Sequence, residues 1–239
     1  MVVSNTSRRR VSRRSFSAGE AGFSLIELMV VVIIVGVVAA LAIPAMSVAG
    51  FDRHAYNDAG TIMMLFRSAR TRAVARGGAV LISMSGTSGD RGTFMMFEAV
   101  APNVGGGAAR TPLATCKSPT VWTALPTAQN PGANASVVLI DGVNLNLAGI
   151  ETQANIQTSL WQYPSPSASA AVQFNSGYIC YTPLGHTYVV IAGAPTAGMF
   201  DGALPTVGPL EARVTRDNGG TTRSVLVPPN GMARLFSHT

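Results

Sequence analysis

Hydrophobic and polar positions along this chain fall into three regimes. Residues 28–46 are all apolar apart from Gly36 and Pro44, and no charge occurs between Glu27 and Asp52. As a helix these 19 residues span about 28 Å, close to the ~30 Å hydrocarbon core of a bilayer. Beyond Gly50 the pattern turns amphipathic. Ile62, Leu65, Phe66, Ala69 and Ala73 recur at spacings of three and four, while Asn57, Thr61, Ser68 and Arg72 take other faces. Gly77-Gly78 supplies a stop. The pattern therefore predicts one long helix over about 24–76, membrane-embedded over about 25–49 and packed on a folded domain thereafter. Gly36 lowers local helix propensity by about 1 kcal/mol relative to Ala. Pro44 cannot donate a backbone hydrogen bond and predicts a kink or a loosened turn.

The third regime is a series of short runs, which predict strands at 79–84, 93–99, 136–140, 171–174, 178–181, 187–192, 211–216, 223–227 and 232–236. Asp141-Gly142 reads as the end of the third strand. Turn chemistry at Asp217-Asn218-Gly219-Gly220 and at Pro228-Pro229-Asn230-Gly231 makes the last three an antiparallel meander. Residues 101–112, 164–171 and 193–210 read as surface loops. The fold class is α+β. A leader occupies residues 1–22, a long helix 23–76, and a β-rich domain large enough for its own core 77–239.

Charge separates the leader from the rest. Residues 1–22 hold Arg8, Arg9, Arg10, Arg13 and Arg14 against Glu20, so this end should stay cytoplasmic while the remainder is translocated. The net charge of +6 then loses its meaning as a nucleic-acid signal. Of 17 basic and 11 acidic residues the leader takes five and one, leaving 12 and 10, or +2. Arg67, Arg70, Arg72 and Arg76 read as a solvated helix end, where cations suit the negative pole of the helix dipole.

One acid stands out. In Gly22-Phe23-Ser24-Leu25-Ile26-Glu27-Leu28-Met29, a carboxylate lies just inside the apolar run. At a membrane helix centre it would cost roughly 2.5–3.5 kcal/mol, and less near the end. An ordinary signal peptide offers Ala40-Leu41-Ala42 as a small-x-small cleavage site, but its apolar region is usually only ~7–15 residues long. A plain single-pass anchor leaves Glu27 incidental, as an acid that snorkels or is protonated.

A third reading comes from resemblance. Gly22-Phe23 resembles the junction cut by the prepilin peptidase, and Glu27 stands where type IV pilin-like proteins carry a glutamate shortly after the cut. Gly36 and Pro44 fall where such helices usually have a glycine and a proline. The resemblance implies cleavage after Gly22, N-methylation of Phe23 and a pilin-like fold, a long hydrophobic helix packed on an antiparallel β-sheet. It implies as partners the prepilin peptidase/methyltransferase, other pilins or pseudopilins, an inner-membrane assembly platform, and membrane lipid before assembly. In a helical stack the amine of a neighbouring subunit can lie beside Glu27, and a pair formed in low dielectric is strongly specified.

More narrowly, the chain resembles minor pseudopilins of the type II secretion protein H (GspH)/FimT group. The likeness rests on the stretch Ser68-Ala69-Arg70-Thr71-Arg72-Ala73-Val74-Ala75-Arg76, an immediate strand, Cys116 followed by Trp122, and a terminal strand pair around a glycine turn. Some FimT-like proteins bind DNA through Gly-Arg-x-Arg. Here Gly231-Met232-Ala233-Arg234 keeps Arg234 but has Met232 in place of the first arginine, so nucleic acid is not the expected partner.

Cys116 and Cys180 are the two cysteines. In an oxidising compartment they allow a disulfide, and each also suits a buried apolar position. No enzyme chemistry is expected. His54, His186 and His238 are scattered, there is no Cys-x-x-Cys pair, and phosphate-loop and dinucleotide patterns are absent. Asp52, Asp58 and Asp90 read as solvated surface acids. No metal or other cofactor is expected. The implied role is a minor pseudopilin of a type II secretion system, single-pass in the inner membrane with its domain in the periplasm. The alternatives are a minor pilin of a type IV pilus and a membrane-anchored binding protein that never polymerises.

Overall fold

The computed structural model describes residues 23–85, 91–101, 110–117, 121–127, 130, 134–146, 156–164, 170–191, 196–216 and 221–238. The chain divides into two compact units, residues 1–46 and 47–239. Helix α1 (Leu25–Arg76) contributes to both. It ends where expected. Gly77 takes φ +68°, a left-handed cap that glycine adopts without a Cβ clash. Gly78 follows at a point where a Cβ would come within 2.6 Å of Pro112 Cβ.

In the second unit, Ile62, Leu65, Phe66, Ala69 and Ala73 are all buried, as their spacing predicts, and Ala55 and Ala59 extend the same stripe. The small residues on this stripe suit close approach of helix to sheet. Phe66 meets Phe94 edge to face, with ring centroids 6.3 Å apart.

The strands are β1 (Val80–Ser85), β2 (Thr93–Ala99), β3 (Val137–Asn144), β4 (Ile156–Gln162), β5 (Val172–Phe174), β6 (Ser176–Tyr181), β7 (Thr187–Val190), β8 (Leu210–Arg216), β9 (Thr222–Val227) and β10 (Arg234–His238). They form two antiparallel five-stranded sheets, ordered β3-β2-β1-β6-β7 and β10-β9-β8-β4-β5. The expected C-terminal meander is present as β8-β9-β10.

One core lies between the helix stripe and the inner faces of both sheets. Val80, Ile82, Phe94 and Ile179 come from the first sheet, and Leu160, Ala212, Val214 and Val225 from the second. A second core covers the opposite face of the first sheet, where Leu81, Phe97 and Cys180 pack with Cys116, Trp122 and Phe200. The first sheet is thus buried on both faces, which is why β1 and β6 read as near-continuous apolar runs.

Three expectations change. Asp141-Gly142 does not end β3, because Asp141 pairs with Met96 and Gly142 with Met95, and an irregularity between Met96 and Phe97 absorbs the extra residue Ile140. Strand β4 was not expected. Residues 193–210 are more than a surface loop, since Phe200 is buried in the second core.

Cys116 and Cys180 are joined by a disulfide, and both are buried. Trp122 Nε1 donates to Cys116 O at 3.0 Å, so the bridge and the indole together pin Cys116 and Trp122 over the first sheet. Closing 64 residues gives about 4 kcal/mol in the chain-entropy view. A C116S/C180S double variant of the detergent-solubilised full chain should lose about that much in denaturant unfolding. A loss below about 1 kcal/mol would show that the bridge constrains little.

Candidate functional site

The sequence singles out the start of α1, and the local structure there is simple. Ser24 is the N-cap. The Glu27 backbone N–H donates to Ser24 Oγ at 3.2 Å, and the Glu27 and Leu28 N–H groups lie 3.1 and 3.2 Å from Ser24 O. Glu27 therefore occupies the third helical position, the acidic place of a capping-box sequence. Aligned peptide dipoles concentrate about half a positive charge at this end, so a carboxylate here is favoured over one farther along the helix. Among the described residues no cation lies within ion-pair distance of Glu27. The cap was not foreseen, although Ser-x-x-Glu ahead of an apolar run is its usual signal.

The following turns are apolar on every side. Leu25–Ala42 has mean hydropathy 3.0 and none of it is buried, and among the described residues it is the one helix long and apolar enough to cross a membrane. Phe23 is 77% exposed and Leu41 72%. Soluble proteins rarely leave contiguous apolar surface beyond a few hundred Å² uncovered, and larger areas mark membrane or protein contact. Gly36 is exposed, and among the described residues nothing beyond its own helix backbone lies within 4 Å of the place of a Cβ. Pro44 lies within the helix. Gly22 lies outside the described residues, as do Asp90 and the 217–220 turn.

The arginines of the second helix half are not a solvated end. Arg67 Nε donates to Ala233 O at 2.8 Å, and Arg70 donates to Asn230 O at 2.9 Å. Both therefore hold the turn before β10. Arg72 and Arg76 converge on Glu98 of β2, each with a 2.7 Å approach, and Glu98 is 2% exposed. Asp58 is likewise no surface acid. It is buried and pairs with Arg91 at 2.7 Å. Arg91 in turn takes Asn146 Oδ1 on its backbone N–H at 2.9 Å and Thr158 Oγ1 on its carbonyl. One residue thus ties α1, the end of β3 and β4 together. These contacts use cations that a nucleic-acid reading would need free. Arg234 is exposed at the start of β10, opposite Leu226.

Comparison with known proteins agrees with the helix start. The family model of the prokaryotic N-terminal methylation motif matches residues 17–43. No curated protein and no solved structure matches the chain. The chain carries a type IV pilin-like N-terminal signal. That signal points to a structural subunit, implies a prepilin peptidase and other pilins as partners, and fits a membrane-anchored single-pass protein. The α+β arrangement is consistent with a pilin-like fold. Among the described residues no cluster of three or more His, Cys, Asp or Glu is placed to hold a metal.

The Glu98 contact makes an asymmetric prediction. Losing Glu98 leaves Arg72 and Arg76, which are 30% and 47% exposed, free to turn to water. Losing both arginines strands a buried carboxylate, at a cost of roughly 3–5 kcal/mol. R72A/R76A should therefore destabilise the full chain more than E98Q does, as read from denaturation midpoints. Equal losses would refute the asymmetry.

Proposed function

We propose that this chain is a minor pseudopilin of a type II secretion system, a subunit that joins a short filament through its N-terminal helix. The observation carrying this reading is the methylation motif set directly before a capped, wholly exposed apolar helix. The peptidase cuts after Gly22 on the cytoplasmic face, Phe23 becomes the methylated N-terminus, and the helix waits in the inner membrane. The disulfide supports a domain on the oxidising, periplasmic side. The narrower GspH/FimT assignment rests on the sequence likeness around 68–76, Cys116, Trp122 and the terminal strands.

In the filament Glu27 sets register. Cleavage frees an α-amine at Phe23, and the amine of one subunit meets the Glu27 carboxylate of its neighbour. In low dielectric an unpaired Glu27 is costly, so misregistered stacking is disfavoured. The helix dipole favours this acid in the isolated subunit, which lets it stay in place until the partner arrives.

The same signal also suits a minor pilin of a surface type IV pilus. Deleting the gene separates the two, since loss of exoprotein secretion with twitching intact supports the pseudopilin reading and the reverse assigns the chain to the pilus. Glu27→Ala should leave insertion and processing intact while lowering incorporation into filaments by tenfold or more, the effect of about 1.4 kcal/mol. Wild-type incorporation of that variant, measured by quantitative immunoblot of sheared filaments, would refute the register role.

A further inference from the structure

The two sheets differ in how their outer faces are covered. The outer face of the first lies under the second core. The second sheet instead turns an aromatic and polar set outward. Register places Ser159 opposite Arg213, Arg213 opposite Ser224, and Ser224 opposite Phe236, in one row across β4, β8, β9 and β10. Trp161 lies on the same face of β4, two residues on. Ser159, Trp161, Arg213, Thr215 and Thr222 line an open cleft of about 360 Å³, at the lower end of the range for small-ligand sites. Phe236, 44% exposed, flanks it on the edge strand.

The lining is fixed before any ligand arrives. The Arg213 guanidinium lies over the Trp161 ring, 4.4 Å from its centroid. It donates to Glu211 Oε2 at 2.8 Å and to Tyr163 OH at 3.1 Å. Tyr163 OH donates to the same carboxylate oxygen at 2.9 Å. Trp161 Nε1 donates to Ser159 Oγ at 2.9 Å. That bond uses an acceptor site of Ser159 and leaves its O–H as a donor for something else.

Charge narrows the class of ligand. Burial alone would push the Glu211 carboxyl up, but the hydrogen bonds led by Arg213, and the guanidinium charge, overcome this and hold it below the ordinary carboxylate value. Glu211 is therefore ionised at neutral pH and compensates Arg213. Among the described residues that line the cleft, Arg213 is the one cation, and Glu211 compensates it; Arg234, exposed on the same face of β10, lies outside the lining. What the cleft offers is an indole wall, three hydroxyls, and the remaining N–H groups of a neutralised guanidinium.

We infer that the outer face of the second sheet is a binding site for a neutral carbohydrate, with one sugar unit seated against Trp161 and its hydroxyls bonded to Ser159, Thr215 and Arg213. Such a ligand alternates apolar C–H faces with hydroxyls that both donate and accept, which is the chemistry of this lining. All the groups stand on paired strands, so the site is held by the sheet and does not depend on loop closure.

The test uses the full chain in a sugar-free detergent, titrated with N,N′-diacetylchitobiose, cellotriose and maltotriose and followed both by tryptophan fluorescence and by isothermal titration calorimetry, which reads binding in Trp161→Phe as well. The chain has two tryptophans, Trp122 and Trp161. Trp122 is buried in the second core, so a saturable change that disappears in Trp161→Phe reports this cleft. Thr215→Val should weaken binding about three- to tenfold, as expected for one lost hydrogen bond, with the unfolding midpoint unchanged; Ser159→Ala, which also removes the acceptor of Trp161 Nε1, should weaken it at least as much. Absence of saturable binding to all three sugars overturns the inference. So does binding that is confined to heparin or oligo-dT, or sugar binding that survives in Trp161→Phe.

Discussion

The constraint on which the rest depends is that an apolar cylinder cannot be left in water. Leu25–Ala42 exposes every side of itself and has no partner within the described chain. Its surroundings must come from outside, first lipid and then, in the proposed filament, other helices. A helix that is apolar all round slides and rotates in either setting with little preference, because no side chain distinguishes one register from the next. A single acid changes that. Glu27 sits at the third helical position behind a serine cap, and in the proposed filament it would favour only an arrangement that brings a cation beside it. The leader and the proposed cut fit the same need, since removing the leader creates that cation.

The folded part solves a different problem, the fastening of a long helix to two sheets. Four alanines on the buried stripe let the backbones come close, and Ile62, Leu65 and Phe66 fill the space between them. Arginines on the flanks then reach over the edge of this contact, two to backbone carbonyls before β10 and two to the buried Glu98. Coulombic attraction and packing thus fix the same interface. The first sheet is closed beneath a lid held by the disulfide and Trp122, and the second sheet keeps its outer face for solvent or a ligand.

Local signals made much of this legible. The membrane-length run, the amphipathic stripe, its glycine stop and the terminal meander all follow from periodicity and turn chemistry, which act over a few residues. Strand β4 hid because Gln157, Thr158 and Ser159 blur the alternation that Leu160 and Trp161 complete. The arginines were misread for another reason. Their acceptors lie 22 (Arg76 to Glu98) to 166 (Arg67 to Ala233) residues away, and nothing local distinguishes a fastened guanidinium from a solvated one. The burial of Asp58 and Phe200 and the pairing of the cysteines are tertiary in the same sense. At the helix start the acid was legible but its cap was overlooked, although both belong to one four-residue pattern.

The measurement that bears most directly on the central claim is the mass of the mature N-terminus, taken from protein purified out of its native membrane. The predicted species begins at Phe23 and carries one added methyl group on its amine. A chain retaining Met1 and the arginine leader, or one beginning after Ala42, would contradict it.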